Sequence, residues 1–374
     1  MTKPLTPGDP APWFHAPSFG GRARYSFDTV GGRPVLMLFH GSAAQPVCAA
    51  AIAIVERHRA LFDDLHACFF GVSVDPGDVE QGRIAPQLPG IRWLLDFDRA
   101  VSRLYGALSG DGPQARYTPQ WILLDPMLRV AALFPIDRGE AAISALEALI
   151  ARGPEVQTAP VLMVPRIFDA GLCRTLIDLY EADGGRPSGF MRDENGVTVE
   201  KVDPHHKRRS DLLIVDGPVL DQVRQRLADA LTPMIRRAFQ FEPTRVERWL
   251  VACYNADGEG GHFRPHRDNT TKGTAHRKFA VTINLNAEDY EGGDLRFPEF
   301  GPLTYRAPTG GAVVFSCSLM HEALPVARGK RYAFLPFLYD DAGARLRERN
   351  LSYVAPELQN YRSGLPPEES ESQA

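Results

Sequence analysis

The first 150 residues alternate short apolar runs with amphipathic stretches. Residues 34–40 are apolar almost throughout, which predicts a buried strand, and 47–61 carries apolar side chains near one helical face. Two further apolar runs, 67–75 and 120–125, end at Asp-Pro turn signals. A helical pattern covers 139–152. Strands separated by helices predict an α/β domain around a mostly parallel sheet.

The pattern changes after a polar, proline-bearing linker at 153–160. Helical spacing covers 169–182, with Asp169 as N-cap, and 219–239, which Pro233 should interrupt. Short strand-like segments separated by turn residues follow at 249–254, 279–285, 295–297, 312–317 and 331–339. This succession predicts an α+β domain with a jelly roll or sandwich. The remainder, 342–374, is a charged tail whose end is predicted to be disordered.

Length and composition fit two soluble globular domains. The 374 residues carry 42 Lys and Arg against 46 Asp and Glu, a formal charge of −4. This mild acidity gives no support for general nucleic-acid binding. No apolar stretch reaches the roughly 18–20 residues that a membrane span needs, and the start lacks the apolar core of a signal peptide. The five cysteines are odd in number and widely spaced, so we expect a reducing, cytoplasmic location. Because no long apolar stretch is present, we expect no membrane partner.

A candidate metal site begins at His266 and Asp268. Side chains two apart on an extended strand leave it on the same face, so this pair can bind one ion. His321, which follows the apolar strand at 312–315, is the best candidate for a third ligand. Two His and one carboxylate form the facial triad of non-haem Fe(II) sites, which leaves positions open for a cosubstrate and dioxygen. The His-X-Asp spacing alone also occurs by chance in many proteins.

A cation completes the pattern. Two other histidines are alternative candidates for the metal ligands. Arg331 lies ten residues after His321 and opens a strand, where its planar guanidinium suits the distal carboxylate of a keto diacid. His262 and His276 are rival ligands, but neither has a carboxylate at the extended-strand spacing. We therefore predict loop or substrate-side positions for both. The ordered conjunction of ligands and arginine is far more specific than any one of them.

Two more histidines adjoin a short basic run. His205 and His206 precede Lys-Arg-Arg at 207–209. We predict that the two histidines lie on a solvated loop near the pocket rather than on a metal, and that the basic run is at most a substrate contact.

These residues and their neighbours resemble the Fe(II)/2-oxoglutarate-dependent dioxygenases of the prolyl 4-hydroxylase-like group. The resemblance covers roughly 160–341. It includes Tyr254 ahead of the His-X-Asp pair, the Gly-Gly-Asp turn at 292–294 and the strand preceded by Pro-Thr-Gly-Gly at 308–311. The resemblance implies a double-stranded β-helix, or jelly-roll, fold.

The same resemblance implies roles for the candidate residues. His266, Asp268 and His321 would hold Fe(2+). Arg331 would bind the C5 carboxylate of 2-oxoglutarate, and Tyr254 would hydrogen-bond this cosubstrate. The implied reaction consumes dioxygen and 2-oxoglutarate, releases succinate and CO2 and hydroxylates a substrate C–H bond, and this group often needs L-ascorbate. Animal collagen hydroxylases typically have Lys at the Arg331 position, so peptidyl proline, another side chain and a small molecule all stay open as substrates.

The first domain resembles the peroxiredoxins of the thioredoxin fold, through its opening at 7–14 and the loop before Cys48. Cys48 is predicted in the first turn of a helix, where backbone N–H groups and the helix dipole lower a thiol pKa and favour a nucleophilic thiolate. Arg116 takes the place of the arginine that steadies the thiolate in that family. Gly41 and Gln45 stand where the family has Pro and Thr, and the threonine normally hydrogen-bonds peroxide.

The sequence thus predicts a peroxiredoxin-like domain at 1–153, a 2-oxoglutarate dioxygenase domain at 160–341 and a tail at 342–374. One alternative is a thiol peroxidase or redox sensor that acts through Cys48, with the jelly-roll half as a binding module. Another is a non-catalytic protein whose jelly roll holds a metal but no keto acid.

Overall fold

The computed structural model describes residues 4–21 and 23–359. They form two compact units. The first comprises the described residues up to Thr158 together with Pro298–Leu303, and the second comprises Ala159–Phe297 and the described residues from Thr304 onward. Among the helices of the described ranges, none has the length and apolar character that crossing a membrane requires.

The first unit is built on one mixed sheet. Its strands, in spatial order, are Ile91–Leu95, Cys68–Ser73, Val35–Gly41, Gln120–Leu124 and Val130–Pro135. The first three run parallel, whereas the last two pair antiparallel with their neighbours. The predicted α/β, thioredoxin-like domain is present, but the prediction of a mostly parallel sheet was wrong. The reason is that Gln120–Leu124 and Val130–Pro135 form a hairpin.

Alternate side chains of the central strand Val35–Gly41 face opposite sides of this sheet. Met37 lies in one apolar core and Leu36 in the other, as the two-residue period of a strand requires. The helices Pro46–Arg57 and Gly139–Arg152 both pack on the Leu36 side. Because both faces are covered, the whole strand is buried and its sequence does not alternate.

Shorter elements complete the first unit. They are the strands His15–Ala16, Tyr25–Ser26, Leu108–Ser109 and Arg116–Tyr117, the helices Gly77–Glu80 and Ala100–Leu104, and the 3₁₀ turns Phe27–Val30, Arg59–Leu61, Gly112–Gln114 and Ile136–Arg138.

The second unit contains two antiparallel sheets. The major sheet has the strand order Leu162–Val164, Ala312–Ser316, Phe279–Asn284, Lys330–Phe334, Leu250–Asn255, Ser210–Leu213 and Arg186–Pro187, and Arg245–Glu247 joins it through Phe337–Tyr339. The minor sheet has the order Lys207–Arg208, His262–His266, His321–Ala323, Leu295–Arg296 and Thr304–Tyr305. Two separate two-stranded ribbons complete the strands. The first is the hairpin of Phe190–Glu194 with Val197–Lys201, and the second pairs Glu291–Gly292 with the distant Val326–Arg328.

Helices cover one face of the major sheet. They are Ala170–Asp183, Pro218–Arg226 and Thr232–Phe239, the last two joined by the π-helical turn Leu227–Leu231 beside Pro233. Val251 packs with these helices, whereas its neighbours Ala252 and Tyr254 pack with Ala323 of the minor sheet. Tyr254 therefore lies in the layer that the two sheets share.

The chain after the last strand is ordered further than predicted. Asp341–Arg349 is a helix, and the Asp340 carboxylate caps it by accepting from Gly343 N at 2.7 Å. The 3₁₀ turns Leu351–Tyr353 and Pro356–Leu358 follow. The sequence analysis predicted a charged tail here without predicting its helix, and the predicted disordered end lies outside the described residues.

Candidate metal centre

Two neighbouring strands of the minor sheet bring three candidate ligands together. His266 ends the strand His262–His266, and it faces His321, the first residue of His321–Ala323, in antiparallel register. Asp268 follows two residues after His266. Its carboxylate lies 3.5 Å from His266 Nε2 through Oδ1 and 3.3 Å from His321 Nε2 through Oδ2.

The three ligand atoms have the spacing that one ion requires. All of them lie within 4.8 Å of one another. Ligands ~2.1 Å from one ion and at right angles to each other lie ~3 Å apart, so small side-chain rotations suffice to bring this set onto one octahedral centre. Two imidazoles and one carboxylate are also the donors of non-haem Fe(II) sites. The residues present therefore fit a ferrous ion.

Backbone carbonyls orient both imidazoles. His266 Nδ1 lies 2.8 Å from the Arg264 carbonyl oxygen, and His321 Nδ1 lies 3.0 Å from that of Leu319. Since a carbonyl can only accept, we assign the ring proton to Nδ1 in each case. The Nε2 lone pairs are then available to an ion. Phe263 stacks on His266 with 3.5 Å between ring centroids, which fixes that ring further.

The electrostatics of the triad suit metal binding. Burial lowers the pKa of His266 to about 4, and the neighbouring His321 lowers it too, so this imidazole is neutral at neutral pH. Burial alone would raise the pKa of Asp268, but His321 and His266 together hold it well below its usual range. The pair is thus in the protonation states that metal ligands need.

A buried ion-pair network supports Asp268 from behind. Arg277 Nη1 donates to the Asp268 carbonyl oxygen at 3.3 Å, and the same guanidinium binds Glu247 at 2.9 and 2.7 Å. His276 Nε2 lies 2.8 Å from Glu247. His276 lies in a turn, as the loop prediction has it, but it is buried and bound to Glu247. A turn residue can be buried when a charged partner such as Glu247 faces it.

The other rival histidine is also engaged with the backbone. His262 is buried, with Nδ1 2.8 Å from the Gly260 carbonyl oxygen and Nε2 3.3 Å from that of His205. His262 opens the strand that carries His266, so it does not lie on the predicted loop, and its ring is separate from the triad.

Arg331 lies inside the second unit, and no carboxylate of residues 4–21 and 23–359 pairs with it. The residue is 2% exposed, and within the described residues its Nε and Nη1 have no hydrogen-bond partner. Tyr254 pairs with it in register, and the centroid of the tyrosine ring is 5.0 Å from the guanidinium carbon. The Tyr290 hydroxyl is also buried and unpartnered; burial raises its pKa, and Arg331 opposes that rise. A buried cation without an anion is costly, so this pocket suits a carboxylate ligand.

The basic run at 207–209 contributes buried side chains. Lys207 is 4% exposed, and its Nζ lies 4.9 Å from the centroid of the Phe263 ring. Arg209 forms an ion pair with Asp211 at 2.6 Å. Lys207 and Arg209 both lie on or beside short strands of the two sheets, where alternate residues face inward. The solvated loop was predicted for His205 and His206, and these two histidines do lie in a turn, with His205 exposed.

Cys48 occupies the predicted place in the first unit but in a different environment. It is the third residue of its helix and wholly buried, and its thiol donates to the His40 carbonyl oxygen at 2.9 Å. Burial raises the pKa of this thiol, and the Asp78 carboxylate raises it further. Arg116 is exposed, and among the described residues no hydrogen bond or ion pair joins its guanidinium to Cys48. Desolvation thus opposes the dipole effect expected at a helix start.

Comparison with known proteins agrees with the geometry of the second unit. Residues 249–339 match the model of the 2OG-Fe(II) oxygenase superfamily. A PKHD-type hydroxylase of Pseudomonas fluorescens is 30% identical over 171 residues, which cover 39% of this chain and 74% of that protein. The chain belongs to the 2OG-Fe(II) oxygenase superfamily. This oxygenase is an oxidoreductase that uses Fe(2+), 2-oxoglutarate and dioxygen to hydroxylate a C–H bond.

The oxygenase carries a peroxiredoxin-like first unit, since residues 7–133 match the AhpC/TSA family model. Among solved structures, a Pseudomonas putida prolyl-4-hydroxylase is 20% identical and aligns with 49% of this chain and 94% of its own, with a TM-score of 0.38. Peroxidoxin BcpB from Mycobacterium tuberculosis is 20% identical and aligns with 39% of this chain and 98% of its own, with a TM-score of 0.33.

Sequence reasoning missed several residues around the oxygenase site. Tyr290 directly precedes the Glu-Gly-Gly turn, and that turn could have drawn attention to it. No local signal points to Glu247 as the partner of Arg277, because these residues meet only through the pairing of distant strands. The burial of Lys207 is hidden in the same way by its polar neighbours.

Proposed function

We propose that His266, Asp268 and His321 hold the Fe(2+) of this oxygenase, and that Arg331 and Tyr254 bind the distal carboxylate of 2-oxoglutarate. One observation carries the proposal. The Nε2 atoms of His266 and His321 lie 3.5 and 3.3 Å from the same carboxylate, that of Asp268. The unpartnered guanidinium in the same unit supports it, because a dicarboxylic acid chelated at one end needs a cation at the other.

The chain's own residues have distinct tasks in this proposal. When bound, iron and the keto acid supply the oxidising chemistry that replaces a substrate C–H by C–OH. The carbonyls of Arg264 and Leu319 keep Nδ1 protonated, so that Nε2 of each histidine stays directed at the ion. Arg277 anchors the backbone of Asp268. Apolar side chains such as Phe263 exclude water from the ligands.

The proposal also covers the fold, the domain bounds, the location and the reductant. The two sheets form a double-stranded β-helix, with functional domains at 1–153 and 160–341, and the protein works in the cytoplasm. Ascorbate would serve as the reductant that restores ferrous iron. The antiparallel pairing of both sheets supports the fold assignment.

A thiol role for Cys48, assisted by Arg116, is the alternative function. The AhpC/TSA match supports it. The raised pKa and complete burial of the thiol weigh against it, so we place the oxygenase first.

The test is a screen of peptides and metabolites for stimulated succinate release by the full chain with Fe(II), 2-oxoglutarate and ascorbate. A true substrate should also yield a product heavier by one oxygen atom. His266→Ala should abolish succinate formation while circular dichroism shows an intact fold. Succinate release that persists in His266→Ala would overturn the proposed ligand set.

A further inference from the structure

The second unit contains a cavity of about 670 Å³ whose walls are shared with the metal-site supports. Arg277, which holds the Asp268 backbone, is one of its lining residues. Exposed apolar side chains, Leu213 and Val215, also line it, at 61% and 79% exposure. None of the proposed metal ligands lines this cavity, but Arg277 links the two, and a concave site of this size is a usual place for a ligand.

The charges in the cavity are unequal around Glu247. Its carboxylate is already bound by Arg277 and His276. Arg248 approaches the same carboxylate only at 3.8 Å, and Arg347 only at 4.0 Å. These lengths are beyond hydrogen-bond distance. Arg277 and His276 thus hold the Glu247 carboxylate through hydrogen bonds, and Arg248 is left with a longer ion pair to it.

Arg248 is the cation with the least compensation. Within residues 4–21 and 23–359, no hydrogen bond to its guanidinium is formed, and its side chain keeps 22% exposure. Burial and the nearby Arg277 lower the pKa of Arg248 to about 10. Its guanidinium carbon lies 5.8 Å from the centroid of the Phe337 ring, a contact that orients the group without neutralising it.

Among the other acids of the described residues that line the cavity, Asp211 attracts Arg248 electrostatically, but no hydrogen bond joins the two. Asp211 is engaged with Arg209 at 2.6 Å and with the Ser188 hydroxyl. Asp183 and Glu200 also line the cavity but are exposed, as is Arg186, so water screens all three.

The backbone is bent at the same residue. Arg248 has φ +66°, in the left-handed region that a residue with a Cβ seldom adopts. It separates the strand Arg245–Glu247 from the strand Leu250–Asn255, which pair with different partners. Strained backbone of this kind is often found where a side chain must be directed at a ligand.

We propose that Arg248 is a specificity-determining residue, which binds a carboxylate or phosphate group of the prime substrate in this cavity. The inference rests on the proposed oxygenase function and names its substrate class as anionic. A planar guanidinium can bind either group through two parallel hydrogen bonds. The apolar rim would contact the part of the substrate next to the charge.

The test measures binding by calorimetry to the full chain under anaerobic conditions with 2-oxoglutarate present. The probes are two mixtures of acetylated, amidated pentapeptides centred on proline, one flanked by Asp or Glu and the other by Asn or Gln, and inorganic phosphate as a small anion. We expect the acidic peptides to bind at least about tenfold more tightly than the amide peptides. Arg248→Gln should remove this preference, and Arg248→Lys should retain part of it, because it keeps the charge but not the fork.

Arg245→Gln is the matched control. Arg245 lies three residues away, pairs with Asp341 at 3.2 Å and does not line the cavity, so its loss should leave the preference unchanged. If only inorganic phosphate binds, and does so through Arg248, the anionic class stands and a small molecule is the source. Equal binding of acidic and amide peptides without phosphate binding, or a preference that survives Arg248→Gln, would overturn the proposal.

The two proposals fail in different ways. His266→Ala should still bind the acidic probe, although it should not make succinate. Arg248-dependent binding by a wild-type chain that makes no succinate would reject the oxygenase assignment and keep the anion site. Succinate release stimulated equally by acidic and amide peptides would keep the oxygenase assignment and reject the anion site.

Discussion

The two units each bury the residues that their family motifs single out, but with opposite effects on reactivity. In the second unit, burial and neighbours leave His266 neutral and Asp268 ionised, both ready for a metal. In the first unit, burial and Asp78 raise the pKa of Cys48, and its thiol proton is donated to a carbonyl. A motif residue is therefore informative only together with the groups that face it. The comparison also explains why the oxygenase site is the stronger candidate.

The largest effect should follow removal of a metal ligand. Asp268→Ala and His321→Ala should each weaken Fe(II) binding by at least about 100-fold, because one of three protein ligands is lost and the buried partners lose their compensation. Anaerobic equilibrium dialysis measures this affinity. His66→Ala is the control, since His66 is an exposed histidine of the first unit bonded to Asp63. Unchanged Fe(II) binding in Asp268→Ala would mean that the ion sits elsewhere.

A smaller loss should follow removal of the carboxylate-binding cation. Arg331→Ala should raise the 2-oxoglutarate concentration for half-maximal succinate release by about 10- to 150-fold, since a charge-assisted hydrogen bond is worth about 1.5–3 kcal/mol. Arg331→Lys should recover part of the loss. Arg328→Ala is the control, because Arg328 is an exposed arginine on the neighbouring ribbon that pairs with Glu291. If the Arg331→Ala chain needed the same concentration of 2-oxoglutarate for half-maximal succinate release, Arg331 would not be the residue that binds this cosubstrate.

The sequence predicts the parts of this comparison that depend on local patterns. The helix at 139–152 was predicted within its observed bounds, and the candidate ligands could be selected because their spacing and order are local signals. Burial at Lys207 and the partner of His276 could not be read, since both depend on strands that pair across long stretches of chain. The raised pKa of Cys48 depends on Asp78, thirty residues away, and was missed for the same reason.

The thiol of the first unit should react slowly. Because Cys48 is buried and its pKa is raised, we expect alkylation by iodoacetamide at neutral pH to be at least about tenfold slower in the folded chain than in urea. Peptide mapping by mass spectrometry follows Cys48 separately from the other cysteines, all of which are buried. Fast labelling of Cys48, or rapid peroxide consumption that Cys48→Ser abolishes, would instead favour the peroxidase alternative.

The smallest effect concerns the buried Lys207. Burial, helped by Arg209, holds the pKa of Lys207 well below its usual range. Between that lowered value and the usual ~10.4, the unfolded chain binds a proton that the folded chain does not, so this residue makes stability rise with pH by at most ~1.4 kcal/mol per pH unit. Lys207→Met should remove this contribution to the slope, measured by urea unfolding at about pH 7 and about pH 9.5.

The matched control for this test is Lys201→Met, because Lys201 is 43% exposed and approaches Glu194 only at 3.8 Å. Lys207→Met also loses the hydrogen bond that Nζ donates to the Gly189 carbonyl oxygen at 2.5 Å, and this loss lowers stability by the same amount at both pH values, against the gain from removing the buried amine. That loss does not depend on pH, so the slope and the offset can be separated. If Lys207→Met and Lys201→Met show the same dependence of stability on pH, Lys207 is protonated in the folded chain. Burial would then shift the pKa of this side chain in the second unit less than proposed.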